Sequence, residues 1–342
     1  MPIRVAINGA GRIGRAFFNM ASKNEEVEIV AVNDLADIDN IAYLINRDSA
    51  YGKREREVSV KEDKGALIDG EREIRFFQEK NPEDLPWGDM DIDVVVEATG
   101  VFTKFKDAER HISAGAKRAV ISAPAKDDPE ENNATALLGL NEEELKGAVV
   151  SSNASCTTNA VSPVVRILHD NLGIENALLN TVHAYTISQS TVDTFNKKNP
   201  RLGRAAAQNI VPTSTGAANA TTKVITELDG RFDGIALRVP VVTGSIADIT
   251  FIASRETSAE EVNDILKKGA GEDRWRGIFN TTEEPIVSTD IIGSEYGSIA
   301  DLSFTRVVGG NLVKVLAWYD NEMGYTAMLL RHVIITGNYA RE

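Results

Sequence analysis

The chain runs to 342 residues, 42% of them hydrophobic and 26% charged, with one cysteine and a formal net charge of −14. That length predicts two domains. A lone cysteine excludes a disulfide framework and suits a reducing, cytoplasmic setting. The acidic balance argues against non-specific nucleic-acid binding, and no apolar run or signal peptide points to a membrane.

Residues 3–8, IRVAIN, have the pattern of a buried strand. They run into Gly9-Ala10-Gly11-Arg12-Ile13-Gly14 and a helical stretch through Ala21, and a second strand over residues 27–32 ends at Asn33-Asp34. Strand, GxGxxG, helix, strand and acid make up the dinucleotide-binding order. Gly9 permits the tight turn, Gly11 lets backbone approach a pyrophosphate, and Gly14 allows close helix–strand packing. The helix N-terminus holds the phosphates, and Asp34 accepts from a ribose hydroxyl. A glycine-rich turn without a ligand is the competing reading. Residues 65–75 resemble a charged hairpin. Residues 93–100 read as a strand and turn closing on Thr99-Gly100, residues 104–115 as a helix, and residues 118–122 as a strand ending at Ser122. This alternation predicts a parallel sheet.

Cys156 sits in Ser152-Asn153-Ala154-Ser155-Cys156-Thr157-Thr158-Asn159, ahead of a helical pattern of Val161, Val164, Val165, Leu168 and Leu172. Ser155 is a good N-cap, so Cys156 falls in the first helical turn, where the partial positive charge favours thiolate. A lone cysteine is usually a small buried hydrophobe. Here, hydroxyl neighbours leave the sulfur accessible and make it a candidate nucleophile.

From about residue 176 the texture changes to long runs over residues 177–185, 234–242, 246–253 and 311–319, which predict long, mostly antiparallel strands. An irregular stretch, residues 192–204, reads as functional or interfacial. Of the four histidines, His111, His169 and His332 sit in helical patterns as surface or packing residues. His183 ends a strand and is a candidate base for the thiol, or a satisfied core histidine. Thr213-Ser214-Thr215-Gly216 precedes a helix and suits an anion, or is an ordinary cap. Arg201, Arg204 and Arg238 are candidate cations, and Arg238, inside an apolar strand, needs a partner that a phosphate would supply. No HExxH, cysteine pair or GxSxG elbow is present.

Together these residues resemble phosphorylating glyceraldehyde-3-phosphate dehydrogenases. The likeness runs the length of the chain through VAINGAGRIGR (5–15), SNASCTTN (152–159), TVHAYT (181–186), RAAAQNI (204–210), STGAA (214–218) and WYDNEMGY (318–325). It implies an α/β fold with a Rossmann-type doubly wound parallel sheet over residues 1–155, completed by a C-terminal helix over 321–342. Residues 156–320 would form an α+β catalytic domain with a mostly antiparallel sheet. The resemblance implies a homotetramer, with residues 192–204 near a neighbouring subunit. It implies NAD-dependent oxidative phosphorylation of glyceraldehyde 3-phosphate, as in glycolysis. Cys156 would attack the aldehyde, His183 would act as base, and inorganic phosphate would cleave the resulting thioester. By similarity, Thr186, Ser188 and Arg238 match the substrate-phosphate site, with Arg204 also on the phosphate side. Ser155, Thr157, Thr215 and Gly216 match the attacking-phosphate site. Gly9, Gly11, Arg12, Ile13, Gly14, Asp34, Thr99, Gly100, Ser122, Asn321 and Tyr325 match cofactor contacts. The chain departs from the family at Ala10, Tyr51, Ala160 and Met323, none of which removes a group from the chemistry, and at Thr194-Phe195, a dipeptide near the adenosine ribose that bears on cofactor choice. The alternatives are a sister dehydrogenase for erythrose 4-phosphate, and a catalytically idle NAD-binding scaffold.

Overall fold

A computed structural model describes residues 1–197 and 199–342; Lys198, in the irregular stretch, lies outside the described residues. The chain forms two compact units, Met1–Ala154 with Thr326–Glu342, and Ser155–Tyr325.

The first unit is built on a nine-stranded sheet. Its order is Asn133–Thr135, Val150–Ser152, Arg118–Ile121, Val94–Glu97, Ile3–Asn8, Val27–Asn33, Arg72–Phe77, Ala66–Asp69 and Ser59–Val60. Neighbours are parallel as far as Arg72–Phe77, and the last two strands are antiparallel. The parallel strands carry near-continuous apolar runs because both faces are covered; Val5, Val94, Val95 and Val96 have no exposed surface. The chain leaves Ile3–Asn8 towards Val27–Asn33 on one side and later returns through Val94–Glu97 on the other. The carboxyl ends of these strands therefore diverge at the switch point where open α/β sheets bind ligands. The C-terminal helix, Met323–Tyr339, gives this unit its residues from Thr326 onward. Leu329 and Val333 are buried there, and Arg341 Nε binds Asp93 at 3.0 Å.

The second unit holds a seven-stranded sheet in the order Val211–Ser214, Phe232–Val239, Ile174–Ala184, Ser245–Ala253, Leu312–Tyr319, Ser298–Val308 and Phe279–Thr282. Most pairs are antiparallel, with Phe232–Val239 running parallel to Ile174–Ala184 and Phe279–Thr282 parallel to Ser298–Val308. The Ser245–Ala253 strand alternates strictly between buried and half-buried residues. Its inner set packs under the helix Cys156–Leu172, the helix Ala217–Val224 covers Phe232–Val239, and Ala259–Ala270 covers Ser298–Val308, while Leu178 and Ile235 on the other face stay exposed. Three strands of this sheet escape the sequence pattern. Ser298–Val308 is the longest of them; polar Ser303 and Arg306 and a register shift between Asp301 and Arg306 break its period.

Candidate active site

In the second unit the reactive centre starts where the chain enters the Cys156–Leu172 helix. Just before it, Ala154 adopts φ +52°, a left-handed conformation costly for a residue with a Cβ, and such strain concentrates at functional sites. Ser155 caps the helix by accepting from the Thr158 N–H at 3.1 Å, so Cys156 is the first helical residue. His183 stands near the carboxyl end of Ile174–Ala184, in register with Arg238 on the parallel Phe232–Val239 strand. This register aligns three groups. Cys156 Sγ lies 3.4 Å from His183 Nε2, and Arg238 lies 2.6 Å from His183 Nδ1.

Electrostatics refine the expectation of a ready thiolate. Cys156 keeps part of its surface open, but burial pushes its thiol above the ordinary value, with Arg238 and Thr157 pulling the other way. Burial, and then the Arg238 charge, hold the His183 ring down to about 3. Each group is therefore disfavoured as a lone charge, and for the thiol taken alone burial outweighs the helix start. Proton transfer from sulfur to Nε2 creates both charges together. At this separation and an effective dielectric near 20 their attraction is about 5 kcal/mol, or roughly three and a half pKa units, so the two titrate as a pair. Two neighbours compete at Nδ1, the Ala184 carbonyl at 2.7 Å and the Arg238 guanidinium. Only donation of the Nδ1 proton to Ala184 leaves Nε2 able to take the thiol proton.

Residues that the sequence reading missed complete the centre. The fully buried Tyr319 hydroxyl bridges Thr157 Oγ1 at 2.9 Å and Thr181 Oγ1 at 2.7 Å, and its ring meets His183 edge-on. Burial pushes this phenol well above its ordinary value and so keeps it protonated. Asp320 accepts from Thr243, from the Gly293 N–H and from the N–H groups that start the last helix. Its neighbour Asn321 accepts from Ser245 Oγ at 2.8 Å, which fixes the carboxamide, and Tyr325 is buried. Thr186 and Ser188 share a 3.0 Å hydrogen bond on the exposed side of the His183 strand end. Thr215 caps the Ala217 N–H, and Gly216 opens the Ala217–Val224 helix. Arg204 pairs with Asp193 at 2.9 Å on the surface, and among the described residues no hydrogen bond joins it to the Cys156 group.

In the first unit the fingerprint has the geometry its glycines predict. Gly9 has φ +100°, and a Cβ on it would stand 2.6 Å from Thr99 N; one on Gly14 would strike the Gly9 carbonyl at 1.9 Å. A Cβ on Gly11 would meet nothing within 4 Å, and no side chain caps the Arg12–Ala21 helix, so its N–H groups face a cradle that fits a pyrophosphate. Asp34 takes the Ala10 N–H at 2.7 Å and the Ala36 N–H at 2.8 Å. Arg12 is paired with Asp48 and lies over the Tyr51 ring, and Ile13 beside it is half-buried. Thr99-Gly100 turns past Gly9, and the Ser122 N–H binds the Glu97 carbonyl at 2.9 Å. Among the described residues, no cluster of three or more His, Cys, Asp or Glu is placed to hold a metal ion, and no helix is long and apolar enough to cross a membrane.

Comparison with known proteins gives the same two halves. Residues 3–105 match the family described as glyceraldehyde 3-phosphate dehydrogenase, NAD binding domain, and residues 155–321 match its C-terminal domain. The chain is 47% identical over 341 residues to glyceraldehyde-3-phosphate dehydrogenase 2 of Streptomyces avermitilis, covering 99% of each chain. It is 46% identical over 333 residues to glyceraldehyde-3-phosphate dehydrogenase of Clostridium acetobutylicum, covering 96% of each. It is 45% identical over 330 residues to glyceraldehyde-3-phosphate dehydrogenase 1 of Candida glabrata, covering 96% of this chain and 97% of the other. The chain belongs to the glyceraldehyde-3-phosphate dehydrogenase family.

Proposed function

We propose that this protein oxidises and phosphorylates D-glyceraldehyde 3-phosphate to 1,3-bisphosphoglycerate, with NAD and inorganic phosphate as co-reactants. The observation that carries the reading is the 3.4 Å approach of Cys156 Sγ to His183 Nε2 beside Arg238. Cys156 sulfur attacks the aldehyde carbon while its proton passes to His183 Nε2. Bound NAD supplies the acceptor for the hydride that leaves the hemithioacetal carbon. His183 hands the thiol proton to the new alkoxide oxygen, giving the hemithioacetal hydroxyl, and takes it back as the carbonyl of the thioester forms. Inorganic phosphate then attacks the thioester carbon, and the Cys156 thiolate leaves.

We assign the substrate phosphate to Arg238, Thr186 and Ser188. Arg238 Nε is buried and makes no hydrogen bond among the described residues, a costly state that a phosphate oxygen relieves. Ser155, Thr157, Thr215 and Gly216 are assigned to the attacking phosphate. Arg204, tied to Asp193, serves this site only if that surface pair opens. In the first unit Gly9, Gly11, Arg12, Ile13, Gly14, Asp34, Thr99, Gly100 and Ser122 are assigned to NAD; in the second, Asn321 and Tyr325 are assigned to its nicotinamide. The protein works in the cytoplasm as a homotetramer, a reading supported by the lone cysteine and by exposed Leu178 and Ile235 on the open sheet face.

The test is NADH formation from glyceraldehyde 3-phosphate with and without inorganic phosphate. Sustained turnover that requires phosphate supports the reading. Equal turnover without phosphate replaces it with a hydrolytic dehydrogenase, and no NADH in either case leaves a scaffold.

A further inference from the structure

At the strand ends of the first unit lies a line of polar side chains, Trp87, His111, Glu97, Asn8 and Asn33, each no more than 4% exposed. Its directions follow from chemistry. An indole N–H only donates, so at 3.1 Å His111 Nδ1 accepts from Trp87. The ring proton therefore sits on Nε2 and is donated to Glu97 Oε2 at 3.1 Å. From the other side Asn8 Nδ2 donates to the same oxygen at 2.5 Å, and Asn8 Oδ1 accepts from Asn33 Nδ2 at 2.7 Å. Glu97 Oε1 accepts the Thr99 N–H at 2.8 Å and the Thr99 hydroxyl. Every one of these bonds points inward to one carboxylate, which must be ionised to accept them all.

The line reaches two walls. Glu97, at its middle, holds the Thr99-Gly100 turn, pressed so close to Gly9 that no Cβ fits between them. Asn33, at one end, also clasps the Glu79 backbone through its amide at 2.8 and 2.9 Å and directly precedes Asp34. A buried anion with its donors is a poor source of stability, since apolar side chains of similar volume often do as well or better.

We propose that Glu97 is a positioning residue for the cofactor. Its carboxylate locks the Thr99-Gly100 turn and, through Asn8 and Asn33, the Asp34 end of the second strand, so one anion sets both walls of the dinucleotide site. This rests on the assignment of NAD to Gly9, Asp34 and Thr99 made above.

The test uses the full chain. Glu97→Gln keeps the shape but offers one acceptor oxygen and turns an NH2 group on the donors. The NAD dissociation constant is expected to rise roughly tenfold to a hundredfold, the order of loss when positioning slips. The KM for glyceraldehyde 3-phosphate and the alkylation rate of Cys156 by iodoacetamide are expected to hold. A lower unfolding temperature with unchanged NAD affinity in the folded protein overturns the proposal. If Glu97→Gln does not fold, Asn8→Ala cuts the line on the Asp34 side alone. It is expected to weaken NAD binding in the wild type and to add little in an Asp34→Gly background; no loss, or fully additive losses, overturns the proposal. Asp34→Gly alone separates the two layers. If it leaves NAD affinity unchanged, the cofactor assignment fails and takes the proposal with it. If it weakens NAD while the other variants do not, only the positioning role fails.

Discussion

In the Met1–Ala154 unit most of the residues assigned to the cofactor lie close along the chain, between Gly9 and Asp34, and most act through backbone. In the Ser155–Tyr325 unit the reactive centre is gathered from afar: Cys156 meets His183 across 27 residues, His183 meets Arg238 across 55, and Thr157 meets Tyr319 across 162. A site made of N–H groups and glycine conformations needs only the right local turn. A site made of side chains needs strand register as well, because a slip of one residue along Phe232–Val239 would turn Arg238 to the other face. Lesions in the second unit should therefore strike chemistry, and lesions in the first should strike affinity and choice of cofactor.

The largest break of that division comes from His183→Asn. It is expected to lower kcat by about 10²–10⁴ and to slow alkylation of Cys156 at neutral pH, because the thiol proton loses its acceptor. An unchanged pH profile for alkylation would dissolve the pair. Arg238→Leu comes next. Loss of a charge-assisted hydrogen bond, about 1.5–3 kcal/mol, should cut kcat/KM for the phosphorylated aldehyde roughly tenfold to a hundredfold. Plain glyceraldehyde should suffer far less; equal losses on both substrates would make Arg238 structural.

Asp34→Gly sharpens the other side of the comparison. Asp34 would repel a 2′-phosphate, with a like charge at about 4 Å costing roughly 4 kcal/mol before screening. Wild type should therefore prefer NAD over NADP, and the variant should gain on NADP by about tenfold after screening. No gain for NADP would remove Asp34 from the choice. The smallest effect is one of stability. Burial holds the His332 ring down to about 3, against Ser151 Oγ at 2.7 Å. The folded ring stays neutral where the unfolded one, near 6.5, gains a proton. Stability is therefore full above pH 6.5 and falls as pH drops towards 3, by at most about 1.4 kcal/mol per pH unit for this ring. His332→Gln should flatten that part of the acid slope in denaturant titrations between pH 6.5 and 5; an identical slope would mean that His332 does not titrate on unfolding.

The same contrast explains what could be read from the chain. The fingerprint, Asp34, the Cys156 helix start and the Ser155 cap are local patterns with one physical solution, and they stand in the structure where the sequence puts them. His111 was illegible for a definite reason. Its helix neighbours Asp107, Glu109 and Arg110 are polar, so the helical pattern leaves surface and packing both open, while its burial depends on Glu97 and Trp87 elsewhere in the chain. Tyr319 read as part of an apolar strand, because nothing nearby in sequence reveals the hydroxyls of Thr157 and Thr181. The readiness of Cys156 was overstated, since a helix start is visible in sequence and burial is not.

Covalent catalysis at Cys156 is tested most directly by rapid mixing of enzyme, NAD and glyceraldehyde 3-phosphate without inorganic phosphate, with mass analysis of the quenched protein. A burst of about one NADH per chain is expected, then a stall, with the acyl mass on the Cys156 peptide and release of turnover when phosphate is added. Cys156→Ser should give no burst. Steady NADH formation with no acyl group on Cys156, or a burst that survives Cys156→Ser, would contradict it.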